Sequence, residues 1–103
     1  MKIIHSVLFR LKHKKSSAEE QQFLTDAAAA LAPIAPQFKI YNEVSPKNNF
    51  DYYFYMVFSS QDEYDTYNSQ PAHQNFVKTR WIPEVEDFME VDLTEFDQKI
   101  NKL

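Results

Sequence analysis

Hydrophobic and polar positions alternate with a period of two over Lys2–Lys12, where His5, Val7, Phe9 and Leu11 fall on one side and Ile4, Ser6, Leu8 and Arg10 on the other. The pattern predicts a strand with both faces largely apolar. The period then changes to that of a helix. Ser17-Ala18-Glu19-Glu20 reads as a capping box, Phe23, Ala27, Leu31 and Ile34 follow at helical spacing, and Pro33 and Pro36 end the element. Alternation resumes over 37–44, with Phe38, Ile40 and Asn42 opposite Lys39, Tyr41 and Glu43. The turn 45–49 follows, in which asparagine is expected to take the left-handed backbone positions.

The run Tyr52-Tyr53-Phe54-Tyr55-Met56-Val57-Phe58, within a third strand over 51–59, has no charged interruption and predicts a strand shielded on both faces. A second capping box, Ser60-Gln61-Asp62-Glu63, opens a short helix carrying Tyr64 and Tyr67. Pro71 restarts helical structure, which is expected to stop before Pro83. A last strand over 86–94 sets Phe88, Glu90 and Asp92 against Asp87, Met89, Val91 and Leu93. Residues 1–94 form the expected domain, and 95–103 a polar tail with Phe96, Ile100 and Leu103 at helical spacing.

The order strand, helix, strand, strand, helix, strand is that of an α+β, ferredoxin-like βαββαβ domain with a four-stranded antiparallel sheet and both helices on one side. Two helices cannot cover both faces of the first and third strands. A second copy of the chain is the economical cover, so the expectation is a homodimer whose two sheets face each other as a dimeric α+β barrel.

Composition narrows the chemistry. Eleven basic against fifteen acidic side chains leave a formal charge of −4, which argues against nucleic acid as a partner. The chain has no cysteine, which excludes thiolate chemistry and fits a cytoplasmic setting, and no glycine, which removes the phosphate-cradling loops and the hydrolase nucleophile elbow. No apolar run approaches the roughly 18 residues of a membrane span, so no membrane association is expected. Basic residues gather only at Arg10, Lys12, His13, Lys14 and Lys15, which reads as a solvated loop; steering of an anionic substrate is the alternative.

The segment Tyr67-Asn68-Ser69-Gln70-Pro71-Ala72-His73-Gln74-Asn75-Phe76-Val77, the later Pro83-Glu84-Val85-Glu86-Asp87 and the opening His5-Ser6-Val7-Leu8-Phe9 resemble the stress-responsive dimeric α/β-barrel (Dabb) family over about residues 2–94. The resemblance implies the dimeric barrel and no cofactor. It spans plant stress proteins without established catalysis and a cofactor-independent polyketide cyclase that closes a poly-β-ketone by aldol condensation. In the latter, the histidine of the Pro-Ala-His segment is the base, assisted by a tyrosine six residues earlier; His73 and Tyr67 match them. Gln70 departs from the histidine frequent before that proline, and the third strand is unusually rich in tyrosine.

The residues themselves allow such chemistry. His73 lies in the first turn of a helix, where the dipole disfavours imidazolium, so a neutral base facing a carbon acid is expected, with Tyr67 holding the enolate oxygen. A buried structural hydrogen-bonding role for His73 is the alternative. The resemblance brings His5 to the same cavity, either as an acid–base partner or as a satisfied core residue. A metal at the two histidines would need Asp92 or Glu90 as a third ligand, and no diagnostic spacing supports one, so none is expected. Val7, Phe9, Tyr41, Phe54 and Phe88 are the candidate lining for a small apolar or aromatic ligand, with Tyr52, Tyr55 and Phe58 in the same aromatic set; the alternative is that this set is only core and interface. A haem-degrading or quinol-type monooxygenase on the similar barrel ranks behind these readings, because the Pro-Ala-His segment points to the Dabb family.

Overall fold

The strand-forming alternation of Ile3–Leu11 (β1) places this segment at the middle of the sheet, hydrogen-bonded on both sides. A computed structural model describes residues 1–96. The remaining elements are Ala18–Leu31 (α1), Lys39–Asn42 (β2), Tyr52–Phe58 (β3), Gln61–Ser69 (α2), Pro71–Phe76 (α3), a π-helical turn at Val77–Trp81, a final helical turn at Ile82–Glu84 (α4), and Val85–Leu93 (β4). The sheet order is β2-β3-β1-β4 with every pairing antiparallel, the ferredoxin-like arrangement. No helix among the described residues is long and apolar enough to cross a membrane. Ile100 and Leu103 of the expected tail lie outside the described residues.

Both predicted capping boxes form. Ser17 Oγ accepts from the Glu20 amide and Ser60 Oγ from the Glu63 amide, while the two glutamates reach back to the amides of Ser16 and Ser59. Glu20 is 1% exposed and is kept hydrogen-bonded by the Ser16 amide at 2.8 Å and the Tyr52 hydroxyl at 2.5 Å. This bond ties the start of α1 to the start of β3 inside the core.

The left-handed positions are not where the asparagines are. Ser16 and Gln37 carry φ of 66° and 57°, at the two ends of the α1 crossover. In a chain without glycine, these reversals fall to polar residues at a cost of about 1 kcal/mol each. Gln37 therefore lies before β2, which is shorter than the expected 37–44. The helical path also does not stop before Pro83. It widens into the π turn, where the Ile82 amide donates to the Val77 carbonyl, and this wider turn relieves the clash a proline ring makes with the carbonyl four residues back. A register shift between Arg10 and Leu11 puts Val85 opposite Leu11, so Val85 turns inward instead of following the outward alternation of Asp87.

The helices cover one sheet face, where Phe9, Phe23, Phe54 and Phe58 are fully or almost fully buried. On the other face lie Ile4, Leu8, Tyr41, Tyr53, Tyr55, Met89 and Leu93, and no element among the described residues covers them; Tyr41, Met89 and Leu93 are 45–47% exposed. On this face Tyr41 stacks on Tyr53, and Ser6 Oγ meets the Tyr53 hydroxyl at 2.8 Å. Three of the five members of the basic cluster are paired with acids. Arg10 meets Glu86 at 3.1 Å, His13 meets Glu84 at 2.7 Å and Lys15 meets Asp51 at 3.1 Å.

Tyr52→Phe should lower the unfolding free energy by about 1.5–3 kcal/mol, because it strips a buried carboxylate of one donor. Denaturant unfolding checks this, and a loss below about 0.5 kcal/mol would show that the bond contributes little.

Candidate functional site

Between the helix-covered face of the sheet and the α2–α3–π-turn segment lies a cavity of about 470 Å³. Its floor is Val7, Phe54 and Met56; Leu31, Phe76, Val77, Trp81, Ile82 and Val85 form an apolar wall, and Phe88 and Glu90 of β4 close the edge. Four polar side chains join Glu90 there: His5, Tyr67, Asn68 and His73. The three predicted site residues thus share one cavity. Of the candidate lining, Val7, Phe54 and Phe88 reach it. Phe9 is buried beneath it, packed on Phe54 and Trp81, and Tyr41 belongs to the opposite sheet face, where the two-residue alternation of β2 sends it. The same alternation puts Tyr55 on that opposite face.

Tyr67 lies in the last turn of α2 and His73 in the first turn of α3. Gln70, with extended backbone (φ −61°, ψ 134°), makes the break that folds one residue onto the other. Their rings are 4.6 Å apart. His73 Nδ1 lies 3.2 Å from the Asn68 carbonyl oxygen, which can only accept, so Nδ1 carries the proton and Nε2 is left as the basic nitrogen. Burial first, and then the nearby His5, hold the His73 pKa below its ordinary value, against the opposing pull of the Asn68 hydrogen bond and Glu90. Burial, rather than the dipole of a helix only six residues long, is the main cause. Tyr67 is 3% exposed, and its hydroxyl makes no hydrogen bond to the protein among the described residues, while burial raises its pKa and keeps it a donor at neutral pH.

His5 is held the same way from the other side. The β1–β4 register sets it opposite Asp92, and its Nδ1–H donates to Asp92 Oδ1 at 2.6 Å. The Tyr64 hydroxyl lies 2.8 Å from the same nitrogen and donates to Asp92 Oδ2 at 3.0 Å. Burial and the Asp92 carboxylate raise the Tyr64 pKa, so the phenol keeps its proton. Both histidines therefore use Nδ1 as an anchor, and neither Nε2 has a protein partner among the described residues. Tyr64 was not singled out in the sequence, and Asp92 only as a metal ligand. The signal was present in the shared face of Phe88, Glu90 and Asp92, once β4 is set beside β1. Among the described residues, no three histidine, aspartate or glutamate side chains converge into a metal site.

A four-stranded ferredoxin-like sheet with a cavity lined by two histidines and a tyrosine under its helices defines the class. The chain belongs to the Stress responsive A/B Barrel Domain (Dabb) family, which it matches over residues 3–95. It is similar to the crystal structure of a Dabb family protein with a ferredoxin-like fold from Mesorhizobium loti, with 40% identity, a TM-score of 0.91, and 93% of this chain and 98% of that one covered. The fold is shared with a dimeric ferredoxin-like protein of unknown function from Thermobifida fusca, with 19% identity, a TM-score of 0.75 and 92% of each chain covered. It is shared too with the hydroxynitrile lyase of Passiflora edulis, with 19% identity, a TM-score of 0.75, and 93% of this chain and 96% of that one covered. No curated protein matches the sequence.

In an NMR titration, the His73 imidazole should ionise below its ordinary 6.5, with the Nδ1–H tautomer populated at neutral pH. A midpoint at or above that value would mean that the ring is solvated and not held against the cavity wall.

Proposed function

We propose that the protein works as a homodimer that binds a small apolar or aromatic carbonyl compound in the cavity beside His73, Tyr67 and His5, and moves a proton on it without a cofactor. The observation that carries this reading is the pair of histidines anchored through Nδ1 around a phenol that has no protein partner among the described residues. A neutral Nε2 of His73 takes a proton from the carbon next to the carbonyl. The Tyr67 hydroxyl donates to the oxygen on which the charge develops, and His5, held by Asp92, returns or relays the proton. Val7, Phe54 and Phe88 provide apolar contact, and the buried setting strengthens each hydrogen bond at the reacting oxygen. Phe9 acts from below as support for Phe54 and Trp81.

The apolar face left open by the helices supports the dimer. Ile4 and Leu8 on the central strand, with Met89 and Leu93 on the edge strand beside it, would be covered by the same face of a second copy, an isologous pairing of sheets. The sharing of this fold by a hydroxynitrile lyase is consistent with lyase or cyclase chemistry on the scaffold.

Phenylacetone, a small aromatic ketone with a weakly acidic benzylic carbon, provides a direct assay. In deuterium oxide, the protein should accelerate exchange of the benzylic protons, followed by proton NMR. His73→Ala should lower the protein-dependent rate by about 10²–10⁴-fold and Tyr67→Phe by about 10²–10³-fold, with circular dichroism unchanged. Wild-type exchange no faster than buffer, or full exchange by His73→Ala, would rule out the proton-transfer role.

A further inference from the structure

Among the described residues Glu90 is the only carboxylate in the cavity wall, and no lysine or arginine lines it. The alternation of β4 aims this residue inward beside Phe88, opposite Val7 of β1. Among the described residues Glu90 has no salt bridge and no hydrogen-bond partner, although other exposed acids of the same strand, Glu86 and Asp87, pair with Arg10. Exposed and unpaired at the edge of a mostly apolar wall, the carboxylate attracts a cation and repels an anion, an effect that added salt screens.

The aromatic wall favours the same sign of charge. Trp81 and Phe88 meet edge to face at 5.6 Å, and Phe54 lies 5.9 Å from Trp81, so the wall that holds Glu90 is built of aromatic rings, the groups on which an ammonium is best received. The other titratable groups around Glu90 are the Tyr64 and Tyr67 phenols, which stay protonated and neutral, the His73 imidazole, whose pKa burial lowers, and the His5 imidazole, whose Nδ1 is already paired with the Asp92 carboxylate.

We infer that the cavity selects an aromatic or apolar ligand carrying a protonated amine, and excludes carboxylates and phosphates, with Glu90 as the specificity-determining residue. The inference rests on the cavity being a small-molecule site and names its substrate class: an amine-bearing carbonyl compound whose ammonium meets Glu90 while the reacting carbon faces His73.

Trp81 is the only tryptophan in the chain, and it lines the cavity, so its fluorescence reports occupancy. Three probes of one shape and different charge are titrated at low ionic strength: phenethylamine, 2-phenylethanol and phenylacetate. Wild-type protein should bind phenethylamine about tenfold more tightly than 2-phenylethanol, and phenylacetate most weakly. Glu90→Gln should bring phenethylamine down to the level of the alcohol and improve phenylacetate, whereas Glu19→Gln, on the first turn of α1, should leave the order intact. Phenylacetate binding as tightly as phenethylamine, or an order unchanged by Glu90→Gln, overturns the inference and leaves the phenylacetone chemistry standing. Failure of all three probes to perturb Trp81 overturns the cavity reading and this inference with it.

Discussion

The structure depends on one constraint: the central strand β1 has apolar side chains on both of its faces. Its odd positions, Val7, Phe9 and Leu11, need a cover, and so do Ile4 and Leu8 at the even ones. Two helices on one side satisfy the first set. They also cannot lie flat, because α2 and α3 are separated by the extended Gln70 and the path then widens through the π turn before β4. The space left beneath this bent segment is the cavity. The same strand carries His5 into that space, so the element that organises the core also delivers a titratable group to it.

The polar groups of the site are held by a simple device used twice. A histidine donates through Nδ1 to a fixed acceptor, the Asp92 carboxylate on one side and the Asn68 carbonyl on the other. The acceptors differ in charge, so the two rings are not equivalent. Burial of His73 favours its neutral ring.

The element order, both capping boxes and the inward face of β1 could be read from residue periodicity and cap chemistry, because each is a local pattern. That His5, Tyr67 and His73 lie around one cavity was also legible, from the Pro-Ala-His segment and its resemblance to the family. The partners of His5 were less so. Asp92 lies 87 residues away in sequence and Tyr64 59 away, and both meet it only through sheet pairing and helix packing. The π turn and the register shift at Arg10 and Leu11 have no simple periodic signature, so the reach of the helix past Pro83 and the inward turn of Val85 escaped the pattern. Tyr41 was misplaced because an aromatic residue reads alike whichever sheet face it occupies.

The claim beneath all of this is that β1 must be covered on both faces, by the helices on one side and by a second copy of the chain on the other. Sedimentation equilibrium at micromolar concentration tests it most directly, with Leu8→Glu as the variant that places a charge at the middle of the open face. The account predicts a dimer for the natural sequence and dissociation for the variant. A compact, cooperatively melting monomer of the natural sequence would contradict it.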